Sequence, residues 1–207
     1  ILGTWPFWAR MYRRNNSYES EQQAAAATKS KFSVRDICYA GLFAAVIAVM
    51  AQISIPMPLG VPMTMQTFAI TLAAVVLGSK LSAIASLVYL ALGAVGVPVL
   101  ANFSGGFDKF VGPTGGFLIS FPLMAYIIGL GVEHRDAFKG AFVTAVIVGT
   151  VVNYVVGVAM FVVVAHSTIA VGITACVLPF IPTAIIKAVL ACAIGLNLRK
   201  RIPGLKA

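Results

Sequence analysis

The stretch FKGAFVTAVIVGTVVNYVVGVAMFVVV, from Phe138 to Val164, decides the fold: past Lys139 it carries no charged residue. As a helix rising 1.5 Å per residue it is longer than the roughly 30 Å of bilayer hydrocarbon. Lipid offers no partner to backbone N–H and C=O groups, so such a run must satisfy them internally as a helix or laterally in a closed barrel. It is far longer than the roughly ten residues of a barrel strand and does not alternate polar with apolar, which leaves the helix. Outward from this stretch the composition persists. Lys80 to Lys187 is overwhelmingly apolar or small, with few acidic groups, and the 207-residue chain is 60% hydrophobic and 10% charged. A soluble domain of this size could not cover itself with solvated surface on that balance.

The fold class expected is therefore an all-α integral membrane protein with six transmembrane helices. The predicted spans run from Val34 to about Ile53, Met65 to Leu77, Ser82 to Leu92, Gly115 to Val132, Phe138 to Val164 and Pro179 to Leu198. The second and third fall short of the roughly 20 residues of a perpendicular span. They must tilt, extend into flanking residues, or be sheathed by the other helices. Orientation follows from the basic residues. With a cytoplasmic N-terminus, Arg10, Arg13, Arg14, Lys29, Lys31, Arg35, Lys80, Arg135, Lys139, Arg199, Lys200, Arg201 and Lys206 lie inside. Only Lys109 lies in an outer connection, and Lys187 lies within a span. That asymmetry predicts both termini in the cytoplasm. The net charge of +9 is then a topology signal. Nucleic acid is not the expected partner, because no basic soluble face with stacking aromatics accompanies the charge.

Residues 1–31 read as an N-terminal extension, either interfacial or an artificial addition. Trp5, Phe7, Trp8 and Tyr12 interleave with Arg10, Arg13 and Arg14, a pattern suited to the lipid headgroup layer. No apolar core long enough for a signal peptide precedes Phe32. Residues 32–201 form the membrane domain and 202–207 a short tail. Cys38, Cys176 and Cys192 are isolated, as are His134 and His166, so neither a metal site nor a disulfide framework is expected. The glycine-rich turns lack the GxxxxGK[ST] pattern, so this chain is not expected to bind ATP. No nucleophile–base pair or paired carboxylates stand in the spans, which argues against an enzyme.

Ala40, Ala44 and Ala48 recur every four residues in the first span and form a narrow ridge of small side chains. Such a ridge suits close helix approach in lipid, either within this chain or as a docking face for a second membrane subunit. Asn153 and Tyr154 lie in the apolar middle of the fifth span. The Asn153 amide needs partners there, whether a neighbouring backbone or a polar ligand. The outer connections, Ile55 to Gln66 and Gly96 to Gly116, are rich in Pro and Gly and gather on one side. Gln66, Asn102, Lys109 and Thr114 are their candidate binding groups; Thr114 also reads as a helix cap, and Lys109 as a partner of Asp108. Lys187 is an intramembrane ammonium, a functional-site expectation by default. Its partner is either a ligand carboxylate or a polar channel to water.

Together the segments SVRD, QISIPMP–GVPMTMQTF, YLALGAVGVPVLANFSGG, GPTGG and PFIPTAIIKAVLA before LRK, in order from about Ser33 to Lys200, resemble BioY, the biotin-binding substrate component of energy-coupling-factor transporters. The resemblance implies a prokaryotic, multi-pass membrane subunit that takes biotin from outside and needs no cofactor. It also implies partnership with an integral coupling subunit and two cytoplasmic ABC ATPases, with the first-helix ridge as the docking face. Relatives commonly carry an acidic residue just after Pro-Phe-x-Pro, suited to the biotin ureido group. Here Pro179-Phe180-Ile181-Pro182 is followed by Thr183 and Ala184. That departure leaves Thr183, Asn102 or Asn153 as substitutes, at a cost of about 1–3 kcal/mol for one lost bond to a buried urea. Two alternatives accompany this reading: a substrate component for another small vitamin, and a membrane scaffold without transport activity.

Overall fold

The computed structural model describes residues 33–57, 61–135 and 140–202. The interfacial reading of residues 1–31, part of the proline-rich connection, the first residues of the predicted fifth span and the tail beyond residue 202 lie outside the described residues. Packing separates residues 1–35 from a compact unit, residues 36–207, to which the following refers.

Helix α1 spans Val34–Ala51 and is followed by a two-residue hairpin, β1 (Ser54–Ile55) against β2 (Met63–Thr64). Helices α2 (Gln66–Leu77) and α3 (Ser79–Ala94) meet at Gly78. A loop with one 3₁₀ turn, Ala101–Phe103, leads to the short α4 (Asp108–Val111). Then come α5 (Gly115–Glu133), α6 (Ala141–Val164), α7 (Ile169–Cys176), a second 3₁₀ turn at Leu178–Phe180, and α8 (Ile181–Arg201). Among the described residues four segments are long and apolar enough to cross a membrane: α1, α5, α6 and the run from α7 through α8.

The short second span is the centre of the fold. Eleven of the twelve residues of α2 are buried, from Gln66 to Leu77 with Thr67 as the exception. A helix apolar on every side is one that other helices surround. Helices α1, α3, α5 and α8 supply that sheath. In α5 61% of the most apolar window is buried, against 17–28% in the other three long segments, so α5 shares the interior while the others turn most of their surface outward. Leu42, Val49, Val143, Val155, Ile186 and Val189 are among the large apolar side chains left exposed, the surface a bilayer would cover.

Helices α5 and α6 form the closest pair, and glycine permits it. A Cβ on Gly149 would press on Ile128 and the Met124 carbonyl, and one on Gly157 would strike the Phe117 ring. The α2–α3 corner is built with equal economy. Gly78 has φ +82° and ψ −174°, a region that side chains exclude. On one side of it Arg199 Nη1 donates to the carbonyls of Val75 and Val76 at 3.1 and 3.3 Å. On the other side the Glu133 carboxylate accepts from the Ser79 N–H at 2.7 Å and from the Ser79 hydroxyl. A cation at a helix C-terminus and an anion at a helix N-terminus both complement the backbone dipoles.

Two expectations are corrected. The ridge of Ala40, Ala44 and Ala48 is not free for a partner: Ala40 and Ala44 are 4% and 2% exposed, packed into the core with α2 and α3, and Ala48 lies half-buried against the same core. The small side chains serve packing within the chain. The outward face of α1 lies one step round, at Gly41, Leu42, Ala45 and Val49. The last span also begins earlier than Pro179. The chain turns at His166, whose φ is +48°, and re-enters helix at Ile169, with the Thr168 hydroxyl accepting from the Val171 N–H. Pro179 sits in the 3₁₀ turn that joins α7 to α8.

The corner predicts a contrast between two glycines. Gly78→Ala, strained in φ and directed into the Glu133 carboxylate, should lower stability by about 1–3 kcal/mol. Gly41→Ala, where a Cβ meets nothing within 4 Å, should be neutral or stabilising by up to about 1 kcal/mol. Unfolding midpoints of the two variants in one detergent provide the check.

Candidate functional site

Above the N-terminal end of α2 the chain leaves a cavity of about 550 Å³. That lies within the roughly 300–1,000 Å³ of small-molecule sites. Its wall comes from the hairpin and the start of α2, the loop from Leu100 to Lys109, the entry to α5, the middle of α6 and the first two turns of α8. All seven residues anticipated from sequence as binding groups, Gln66, Asn102, Lys109, Thr114, Asn153, Tyr154 and Lys187, lie along it.

They differ in what they have left to offer. Gln66 is 5% exposed and its carboxamide is engaged at both ends: Nε2 donates to the Tyr89 hydroxyl at 2.6 Å, and Oε1 accepts from the Thr64 hydroxyl at 2.8 Å. It is a fixed part of the floor. Asn153, 2% exposed, donates from Nδ2 to the Phe117 carbonyl at 3.2 Å and the Ser120 hydroxyl at 2.8 Å. A carbonyl can only accept, so the amide orientation is fixed by its partners. Both contacts are on α5, so Asn153 fastens α6 to α5 at the cavity wall.

Lys187 Nζ donates to the Thr64 carbonyl at 2.7 Å, tying α8 to the hairpin. The partners expected were a ligand carboxylate or a polar channel to water; the acceptor that the chain itself supplies is a backbone carbonyl. Thr183, one turn before it, donates to the Phe180 carbonyl at 2.9 Å and keeps its oxygen lone pairs for another donor. Lys109 pairs with Asp108 at 3.1 Å, both partly exposed. Thr114 holds the N-cap position of α5 without a side-chain capping bond, so its hydroxyl is not spent on the helix. Tyr154 stands edge-on to Phe117, with centroids 6.5 Å apart.

The wall thus carries two ammonium groups and one carboxylate, with aromatic surface from Phe117, Phe121 and Phe180. These aromatics were not anticipated. Phe117 and Phe121 are four residues apart and share a helix face. In a helix apolar all round, however, nothing in the sequence marks which face meets a cavity. Among the described residues no group of three His, Cys, Asp or Glu side chains could hold a metal ion.

Comparison with known proteins gives this geometry its context. The description "BioY family" matches residues 23–204. The chain belongs to the BioY family. The "Biotin transporter BioY" of Thermotoga maritima is 41% identical over 81% of this chain and 97% of its own length. That of Rhodobacter capsulatus is 37% identical over 75% of this chain and 88% of its own. A crystal structure described as the S-component for biotin from an ECF-type ABC transporter superposes with a TM-score of 0.73 at 28% identity, covering 81% of this chain and 92% of that one. The BioY-family chain is a multi-pass membrane protein whose architecture extends over nearly the whole of that S-component.

Asn153→Leu, close in shape but unable to donate, should remove both bonds to α5, leave the Ser120 hydroxyl only its own bond to the Phe117 carbonyl, and loosen α6 from α5 at a cost of about 1–3 kcal/mol. Urea or thermal unfolding of the detergent-solubilised protein measures this, with Tyr154→Phe, whose hydroxyl has no protein partner among the described residues, as the comparison.

Proposed function

We infer that this chain is the substrate-capturing S-component of an energy-coupling-factor importer and that its cargo is biotin taken from outside the cell. The observation that carries the reading is the cavity wall. It sets aromatic surface beside amide and hydroxyl groups and holds one more ammonium than carboxylate. Biotin is an apolar bicyclic carrying a urea and an ionised carboxylate, and each part has a complement there. The printed functions of the BioY relatives and of the superposing S-component support the same cargo.

The same reading proposes six crossings with both termini in the cytoplasm. The two shorter apolar helices, α2 and α3, complete the count, and among the described residues Lys80 and Arg199 lie at the Gly78 corner. Residues 32–201 constitute the membrane domain, with residues 1–31 as an extension and 202–207 as a tail. Gln66, Asn102, Lys109, Thr114, Asn153, Tyr154 and Lys187 form the binding set. ATP hydrolysis belongs to two ABC ATPases, coupled through an integral subunit. The exposed face of α1 around Gly41 and Ala45 is the surface that subunit would meet, since Ala40 and Ala44 are buried. Small residues there allow close helix approach in lipid.

Titration of the nanodisc-embedded protein with biotin tests the cargo. Saturable one-to-one binding is expected; its absence in a folded sample, or tighter binding of a different vitamin in competition, overturns the biotin reading. Lys187→Met, which removes the half-buried ammonium, should weaken binding at least about tenfold, or about 1.4 kcal/mol. Ala184→Asp should strengthen it by a similar factor, because position 184 lies on the cavity wall three residues before Lys187 on one helix face.

A further inference from the structure

Gln52, just beyond α1, is not on the cavity wall, yet its carboxamide makes four contacts, three of which converge on the loop bearing Asn102. Nε2 lies 2.9 Å from the Ala48 carbonyl and 3.2 Å from each of the carbonyls of Val99 and Leu100. Oε1 accepts from the Phe103 N–H at 2.7 Å. Apart from Ala48, these partners lie 47–51 residues away in sequence. They bracket the residue that matters, with Leu100 on one side of Asn102 and Phe103 on the other.

The conformation held there is an unfavourable one. Asn102 and Phe103 have φ of +59° and +52°, consecutive left-handed residues without glycine. Asparagine tolerates that region, but phenylalanine seldom adopts it, and each such residue costs of order 1 kcal/mol or more unless its surroundings over-determine it. Phe103 cannot supply the compensation by packing, since it is 72% exposed. Below the tip the loop is anchored. Leu100 is buried, packed so closely on Gly93 that a Cβ there would come within 2.6 Å of its side chain, and Leu100 N–H donates to the Ser104 carbonyl at 2.9 Å. The tip itself is held from below by Gln52.

We propose that Gln52 is a positioning residue for the binding site: its carboxamide pins the left-handed tip and so sets the direction in which Asn102 meets the ligand. An amide is suited to this because it donates to the carbonyls and accepts from the N–H with one planar group. Methionine of similar length can do neither. The inference rests on the biotin reading for its functional consequence, and on loop geometry for its physical content.

The test combines Gln52→Met, Asn102→Ala and the double variant, each in nanodiscs. Gln52→Met should weaken biotin binding about tenfold, and Asn102→Ala should then cost less than about threefold in that background, because the two act as one unit. A residue that merely supports the fold would leave the two losses additive, and additivity overturns the proposal. Amide hydrogen exchange over residues 100–104, read without ligand, should accelerate in Gln52→Met; unchanged exchange there also overturns it. Gln52→Asn, polar but a methylene too short to bridge both strands of the loop, supplies the same two readouts should the methionine variant not fold. If the parent protein binds no biotin, the cargo assignment fails, while the exchange readout still decides whether Gln52 holds the tip.

Discussion

A helix of twelve residues cannot reach across a bilayer by itself, and the architecture depends on making α2 reach. It does so from inside. With eleven of its residues buried, α2 has no lipid-facing side, and its neighbours take the contact with hydrocarbon instead. Its lower end must still satisfy carbonyls that have no successor in the helix. Arg199 reaches from α8 to supply the donors, and Glu133 reaches from α5 to accept from the first amide of α3. A sharp turn between two helix ends is thereby accommodated in the interior with its polar groups paired.

The cavity is a consequence of the same arrangement at the other end. Because α2 starts deep, at Gln66, the space above it is left to connections, and these are where polar and charged side chains can be tolerated. The connections are stiffened by contacts between elements. Lys187 ties α8 to the hairpin, Gln52 ties the end of α1 to the loop before α4, and Asn153 ties α6 to α5. Each fastening includes a backbone carbonyl or amide, which keeps its geometry even when the residues around it differ; Asn153 adds the Ser120 hydroxyl.

Much of this was legible in the sequence. Helices α5 and α6 begin and end near the predicted limits, because long uncharged runs have one solution in lipid. The candidate binding groups came from a simple rule, that polar residues in or beside apolar spans are costly, and all seven line one cavity. Three things were not legible. The alanine ridge of α1 faces inward, since spacing shows that small residues share a face but not what that face meets. The helix Ile169–Cys176 lies ahead of the start predicted at Pro179, because that proline reads as a boundary while the chain is already helical before it. Gln52 sits among ordinary loop residues, and its partners lie about fifty positions away, a relation that no local pattern encodes.

The solid packing beneath Gln66 has a further implication. Below Gln66, among the described residues, the cavity floor continues into the buried length of α2 and the helices packed around it. A body fastened at both ends of its central rod, by Arg199 and Glu133 below and by Lys187 and Gln52 above, is built to keep its shape as one unit.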